Sequence, residues 1–483
     1  MASPTLYWHD YETLGRYPRV SRPSQFAGIR TDEELNEIED PLVLYCKPPQ
    51  DQLPDPEAAL ITSITPQLTQ QRGVIEYEFA RSIFEKMSLP GTCGVGYNSL
   101  RFDDEVTRHL LYRNLYDPYS REWKDGNSRW DIIDLARMTH DLRPEGIKWP
   151  QRDGRPSFKL EALTAENNIP HTSAHDALSD VRATIGLAKI LKKAQPRLYD
   201  WYFSLRFKRE VEKHIDLKNH APLLHTSGMY SSESGCTALV VPLVVEHKNK
   251  NSYLVYDLRH DPSEFINLDV ETLRYRLFTS TQEMGEGVNR LPVKSIKINK
   301  SPAIAPQNIL DKRVAKNLDI DFFQSQLYRK QILSSPSFIR NIASAYSSNG
   351  FDAGDDVDQA IYSGFFGKHD RALCEQVRAH TPQELAGVDF DFQDKRLPEL
   401  LFRYRARNWP ESLSAEETVS WRNYCINKFK NREDKQDLNY DAFVQKTDQL
   451  LTSNDLNEKQ RALLDDLSAW GVTLMDSLEK TEP

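Results

Sequence analysis

The first ~190 residues alternate β-prone runs with stretches of helical period, and that alternation confines them to a layered α/β arrangement. Thr5–His9 is a short, aromatic-rich strand candidate. Gln25–Thr31 and Leu42–Cys46 read as further strands, separated by loop signals at Pro18, Pro23 and Pro41. Glu76–Met87 places Tyr77, Phe79, Ala80, Ile83, Phe84 and Met87 at near-helical spacing. Cys93–Tyr97 is apolar with two glycines and reads as a buried strand. Asp103–Asn114, Asp131–Thr139 and Ser157–Asn167 read as helices. A stronger helix is expected over Ala174–Lys193, where Ala177, Val181, Ile185, Ala188 and Leu191 make a stripe that Pro196 closes.

The pattern then changes. Trp201–His214 is basic, aromatic and helical in character. Thr237–Val245, Ser252–Leu258 and Val293–Ile298 are short β-type runs broken by turn residues, as in a small β-rich domain. Asp311–Ser347 is helical and is assigned to that domain. Ser347–Asp355 is polar and aperiodic, a linker candidate. Beyond it lie Val357–Phe365, Arg371–Ala379, Pro398–Arg407, Ala415–Phe429, Tyr440–Leu451 and Asn457–Leu478, joined by short loops as in a helical bundle. The expected domains are 1–195, 196–349 and 352–483.

Composition narrows the class. No apolar run approaches the ~20 residues that span a bilayer, and the start of the chain has no signal core; a cytoplasmic protein without membrane contact is expected. Cys46, Cys93, Cys236, Cys374 and Cys425 are scattered without metal-ligand spacing, so buried incidental thiols are expected. The net charge of −9 means that any nucleic acid must be held by a local basic patch.

The sharpest local feature is His9-Asp10-Tyr11-Glu12-Thr13. On a strand, residues i and i+2 share a face, so Asp10 and Glu12 project together, and carboxylates that close repel unless a cation lies between them. His9 then faces the other way, as a structural residue. Asp103 follows a buried strand and opens a helix, where an α/β sheet presents its ligand-binding edge. His175 and Asp180 lie on adjoining faces near a helix start. Asp104 and Glu105, acidic residues in the first turn of a helix, favour its dipole rather than bind metal, and Asp176 helps start a helix; Asp131 and Asp134 are explained equally well by helix capping and surface charge.

Together, D-x-E, an Asp after a strand and H-x-x-x-x-D resemble the DEDDh 3′→5′ exonuclease superfamily, and within it the bacterial exonuclease I family. The resembling stretches are HDYETLGRYPRVSRPSQFAGIRTD, GYNSLRFDDEVTRHLLYRNLYDPY, NSRWDIIDLARM, LRPEGIKWP, SAHDALSDVRATIGLAK, LVYDLR, LPVKSIKINKSP, YSGFF and DKRLPELLFRYRARNWP. The resemblance implies a ribonuclease H-like α/β exonuclease domain, an SH3-like β-rich domain and a C-terminal helical domain. It implies a processive exonuclease that degrades single-stranded DNA to 5′-mononucleotides in repair and recombination. Two magnesium ions, replaceable by manganese, are expected on Asp10, Glu12, Asp103 and Asp180, with His175 as general base and Glu12 also touching the terminal 3′-hydroxyl. The alternatives are another DEDDh nuclease, acting on RNA or in proofreading, and a catalytically silent single-strand-binding scaffold.

Between Arg101 and Arg143 cations and aromatics interleave. Aromatic faces stack on unpaired bases whatever their identity. Arg108, Tyr119, Trp123 and Arg137 match positions the family uses on DNA. Lys159 stands where the family has an arginine, keeping the charge without the bidentate fork. Arg206, Lys208, Arg209 and Lys213 form a second basic patch, with Lys208 as its expected DNA contact. The family also binds the acidic C-terminal tail of single-stranded DNA-binding protein. Arg143 is the candidate contact, and a lysine of the family's pocket is Ala221 here. A monomer is expected.

Overall fold

The computed structural model of the chain describes residues 4–171, 175–230, 232–280, 282–347, 356–431 and 436–480. The chain forms two units, one of Met1–Ser128, His171–Thr184 and Ala353–Pro483, the other of Arg129–Pro170 and Ile185–Asp352. Among the described residues no helix is long and apolar enough to cross a membrane. All five cysteines are buried.

The first unit is built on β1 (Thr5–Thr13), β2 (Pro23–Thr31), β3 (Leu42–Tyr45) and β4 (Thr92–Gly96), and the chain leaves it through β5 (Ser128–Asp131). The strand order is β3-β2-β1-β4-β5, with β1 antiparallel to β2 and parallel to β4. β1 runs four residues beyond the aromatic run that marks it in the sequence. Acidic residues disfavour strands, but pairing of Asp10 with Ala27 and of Glu12 with Gln25 carries the ladder through them. Its odd face is the apolar one. Tyr7 and Tyr11 pack with Phe26 of β2 against α1 (Glu76–Met87) and α2 (Asp103–Arg113), through Phe79, Ile83, Met87, Val106 and Leu110.

The C-terminal helices belong to the same unit. Trp421, Cys425, Phe429, Phe443, Leu464 and Leu467 share one core with Leu53 and Ala59 from the N-terminal part. Ala59 lies on a helix, Pro56–Thr62, that is followed by another at Pro66–Arg72. Neither was expected, although each carries its signal: a capping Asp55 or Thr65 followed by proline at the first helical position. Val357–Ser363 is a 3-10 helix rather than an α-helix, ended by Gly364 at φ 141°.

A buried ionic cluster joins the early and late segments of this unit. Asp51 is 0% exposed and accepts from Arg22 at 3.1 Å and Arg407 at 2.9 Å. Asp358 accepts from Arg403 at 3.1 Å and Arg22 at 3.4 Å, and also from Arg407. Burial alone pushes both carboxyls up. Arg407 and Arg22 outweigh it and hold them well below the usual carboxylate range.

In the second unit α3 (Ile132–Leu142) starts where Asp131 caps the Ile133 N–H. α4 (Ala177–Ala194) begins in the first unit and ends in this one; its expected start at Ala174 lies outside the described residues, as does most of the expected linker. Pro196 does more than close α4: it is the first residue of the helix Pro196–Ser204. Trp201–His214 is therefore broken, resuming as Lys208–Glu212. β6 (Leu223–Thr226), β7 (Thr237–Val245), β8 (Ser252–Asp257), β9 (Val293–Lys297) and β10 (Ala303–Pro306) form an antiparallel sheet in the order β9-β8-β7-β6-β10. β6 and β10 are four residues long, preceded by Pro222 and Pro302, and β10 ends on Pro306, so in sequence they read as loop. A helix, Val270–Phe278, sits within the stretch read as β-rich. Asp311–Ser347 resolves into helices Lys312–Asn317, Phe322–Leu333 and Pro336–Ser347.

Asp51 and Asp358 titrate lower folded than unfolded, where an aspartate sits near ~3.9. Their contribution is therefore full above about pH 4 and shrinks as pH falls toward the folded values. Asp51→Asn leaves buried arginines short of a partner and is expected to cost about 3–5 kcal/mol at pH 7. The deficit relative to the parent should narrow steadily below pH 4. Urea unfolding followed by circular dichroism across pH 3–7 checks both.

Candidate metal centre

The even face of β1 carries Asp10 and Glu12 side by side, the latter 7% exposed. Pairing of β1 with β4 stops at Trp8–Val95. Beyond that point the Tyr11 N–H, on the β4 side of the strand, donates to Asp103 Oδ1 at 3.1 Å. The end of one ladder thus becomes the anchor of a third carboxylate, at the start of α2. Asp180 lies in the first turn of α4. The His175 N–H donates to its Oδ2 at 3.2 Å, with His175 in the left-handed region at φ 66°. Ligand atoms of Glu12, His175 and Asp180 lie within 4.8 Å of one another.

Two residues that complete this geometry were missed in the sequence. Gln25 stands opposite Glu12 on β2. Its amide clamps the start of α4, donating to Asp176 Oδ2 at 3.1 Å and accepting from the Ala177 N–H at 3.2 Å. Its buried position on a strand next to the acidic pair was the only available signal. His171 contacts Asp180 Oδ1 through Nε2. It lies four residues before His175 with no motif to mark it.

Burial pushes the Asp10 carboxyl well above its ordinary range, and the charges of Asp103, Glu12 and Asp180 push it further. Burial, then Asp180 and Asp103, push Glu12 up to about 9. Burial also raises Asp180, against the lowering pull of His171. The charges that act most strongly on Asp10 and Glu12 are all carboxylates. A set of hard oxygen donors left with this repulsion suits a hard divalent cation such as magnesium. An imidazole stands beside them.

The neighbouring acids are occupied elsewhere. Asp104 pairs with Arg121 at 2.5 Å, Glu105 with Arg108 at 2.7 Å, and Asp176 caps α4 at the Ser179 N–H. Asp131 caps α3, and Asp134 pairs with Arg137 at 2.6 Å. His9 faces the apolar side, stacked 6.3 Å from Phe26, and burial pushes it down to about 4.

In the first unit Trp123 is 66% exposed, and Phe365, 83% exposed, meets the half-buried Tyr119 edge-on at 5.4 Å. Arg108 is only 6% exposed. It forks onto Glu122 at 2.7 and 2.9 Å and lies 5.2 Å from the Tyr119 ring centre, so it steadies that ring rather than reaching outward. In the second unit Lys159 and Lys208 are exposed, and Arg137 lies over Phe158. Arg206 is withdrawn from the expected basic patch, stacked on Phe203 at 3.6 Å and Phe207 at 4.3 Å. Arg143 donates to the carbonyls of Leu142 and Ile309, and Ala221 is exposed.

Family profiles match along the chain: "Exonuclease" over residues 7–188, "Exonuclease I SH3-like domain" over 206–348 and "Exonuclease I C-terminal domain" over 355–474. The chain belongs to the exonuclease I family. It is 44% identical to exodeoxyribonuclease I of Escherichia coli K12, over 86% of this chain and 88% of that one. The Haemophilus influenzae enzyme of the same name is 39% identical over 98% and 99%. Exonuclease I from Methylocaldum szegediense superposes with a TM-score of 0.94 at 46% identity, covering 98% of this chain and all of that one. E. coli exonuclease I bound to a dA16 oligonucleotide gives 0.94 at 40% identity with the same coverage. A zinc-bound E. coli ExoI–ssDNA complex and an ExoI/SSB-Ct complex give 0.93 and 0.91, again at 40% identity and that coverage. The family establishes the ribonuclease H-like exonuclease, SH3-like and helical parts, and a nuclease dependent on divalent metal.

Repulsion among these carboxylates sets a measurable cost. Pushed up to about 9, Glu12 has to take up a proton at neutral pH when no cation is bound; Glu12→Gln spares that cost and is expected to raise the melting temperature of the chelator-treated protein at pH 7. It should also shrink the stabilisation that magnesium gives the parent. Differential scanning fluorimetry with EDTA and with magnesium checks both directions.

Proposed function

We propose that this chain is a magnesium-dependent 3′→5′ exonuclease that degrades single-stranded DNA to 5′-mononucleotides. The observation that carries the reading is the cluster of the buried Glu12 and Asp103 with the half-buried Asp10 and Asp180 beside His175, whose mutual repulsion calls for cations. Asp10, Glu12, Asp103 and Asp180 would hold two magnesium ions, manganese substituting. When bound, such ions neutralise charge on the scissile phosphate and favour ionisation of water.

The protein's own residues do the rest. His175 takes a proton from the water that attacks the last phosphorus; an imidazole suits this near neutral pH. The bond from phosphorus to the 3′ oxygen of the preceding nucleotide breaks. That oxygen gains a proton and becomes the new 3′-hydroxyl, and a 5′-mononucleotide leaves. Glu12 accepts a hydrogen bond from the terminal 3′-hydroxyl. His171 and the His175 N–H hold Asp180 in place, and Gln25 holds the start of α4. Trp123 and Tyr119 offer faces to unpaired bases, while Lys159, Arg137 and Lys208 meet phosphates. The dA16 complex of the E. coli relative supports a single DNA strand as substrate. The ExoI/SSB-Ct complex supports docking of the acidic tail of single-stranded DNA-binding protein, with Arg143 as a contact and Ala221 in place of the family lysine. We place the enzyme as a cytoplasmic monomer in DNA repair and recombination.

A 5′-labelled single-stranded oligonucleotide with a free 3′ end should be trimmed with magnesium and left intact with EDTA or a blocked 3′ end. RNA of the same sequence should be a poor substrate. His175→Ala is expected to slow nucleotide release ~10²–10⁴-fold, and Asp180→Ala to abolish it. Unchanged release in either variant would sink the assignment. Separately, Trp123→Ala should weaken binding of a 3′-blocked single strand by about 1–3 kcal/mol, read by fluorescence anisotropy.

A further inference from the structure

We propose that a row of side chains across the first sheet, Glu12, Gln25 and Tyr45, fixes the span of the carboxylate cluster and so favours a small cation, with Gln25 and Tyr45 as positioning residues. The proposal rests on the nuclease reading above and adds what tunes that same site to magnesium over a larger ion.

The row follows from strand register. Gln25 on β2 stands directly opposite Glu12 on β1 and directly opposite Tyr45 on β3. Residues directly opposite on neighbouring antiparallel strands share a face, with Cβ atoms about 4.5–5.5 Å apart. The row therefore runs from a carboxylate of the cluster to the edge strand. Gln25, 1% exposed, sits in the middle and reaches the start of α4. Its amide nitrogen donates to Asp176 Oδ2 at 3.1 Å and to the Tyr45 hydroxyl at 3.2 Å. Its Oε1 accepts from the Ala177 N–H at 3.2 Å. Exchanging nitrogen and oxygen would set an oxygen against a carboxylate and an N–H against an N–H, so the network admits one orientation of the amide.

What Gln25 holds is the other half of the cluster. Asp176 uses Oδ1 to cap the Ser179 N–H, and its carbonyl accepts from the Asp180 N–H at 3.0 Å. Asp180 is thus tied to Gln25 through one residue, and Glu12 is tied to Gln25 through the β1–β2 ladder. Ligand atoms of Glu12 and Asp180 stay within 4.8 Å of each other although the two carboxylates repel. The residue type matters as well. Asp176 already adds to the negative field on Asp10 and Glu12. A neutral amide supplies its donors without a charge of its own. A lysine or arginine there would compete with the cation, and a carboxylate would repel Asp176. Magnesium demands near-ideal octahedral geometry at about 2.0–2.1 Å, whereas calcium accepts about 2.3–2.6 Å in flexible shells. Carboxylates tied at a fixed span suit the first ion. Carboxylates free to drift apart under their own repulsion suit the second.

The test uses the full chain and reads metal binding apart from turnover. Magnesium or calcium is titrated into the chelator-treated, desalted parent, Gln25→Met and Tyr45→Phe, and the rise in melting temperature gives a midpoint concentration for each ion. Gln25→Met keeps the length of the side chain and loses its amide. Its magnesium midpoint is expected to rise ~10–100-fold, the usual cost of losing a residue that orients metal ligands, and its calcium midpoint to rise less. Tyr45→Phe takes one partner from the amide and should move the magnesium midpoint the same way by a smaller factor. Circular dichroism spectra report folding, and if Gln25→Met does not fold, Tyr45→Phe decides. At saturating magnesium, nucleotide release should fall in kcat with KM for the strand unchanged. A magnesium midpoint that does not move, or that moves by the same factor as calcium's, overturns the proposal. Release of mononucleotides from a free 3′ end by the parent is measured alongside. Its absence would overturn the nuclease reading instead, so the two failures are distinguishable.

Discussion

Like-charge repulsion inside the protein is the constraint around which the first unit is organised. Asp10, Glu12, Asp103 and Asp180 crowd one place, and burial makes each charge harder to bear. Backbone and side-chain hydrogen bonds hold them there against that cost. The β1–β2 ladder carries two of them, a Tyr11 N–H left over at the end of the β1–β4 ladder holds the third, and the His175 N–H and His171 hold the fourth. Such a cluster is a poor way to stabilise a fold and a good way to prepare a cation site.

The cluster of Asp51 and Asp358 with Arg22, Arg403 and Arg407 makes the contrast plain. It uses the same kind of acid at similar burial, yet its carboxyls are held low instead of pushed high. The difference lies in the partners. Here every acid finds guanidinium groups, and the cluster ties residues near the start of the chain to helices near its end within one unit. The C-terminal helices accordingly share their core with Leu53 and Ala59 rather than closing on themselves.

Aromatic and basic residues divide along similar lines. Trp123 and Phe365 stand out in solvent, where an aromatic surface has no packing reason to be. Arg108 and Arg206 look the same in sequence as Lys208 but are turned inward, onto carboxylates or aromatic rings.

Local pattern by itself determined most of the elements. The helix over Glu76–Met87 and the strand over Thr237–Val245 fall where apolar spacing puts them, because their buried faces are made of neighbours in sequence. The D-x-E pair, Asp103 and the H-x-x-x-x-D stretch were also legible, since alternation on a strand and position at a helix start follow from local geometry. The short strands beside Pro222 and Pro302 were not, because their ladders come from distant segments. Nor were the helices at Pro56 and Pro66, whose caps were present but whose apolar stripes are short. Only the tertiary structure decided that Gln25 and His171 hold the segment around Asp180, that Arg108 faces Glu122, and that Asp51 lies among arginines while Asp10 lies among carboxylates. Each of those depends on which charge lies across a contact between residues far apart in the chain, and spacing along a sequence carries no information about that.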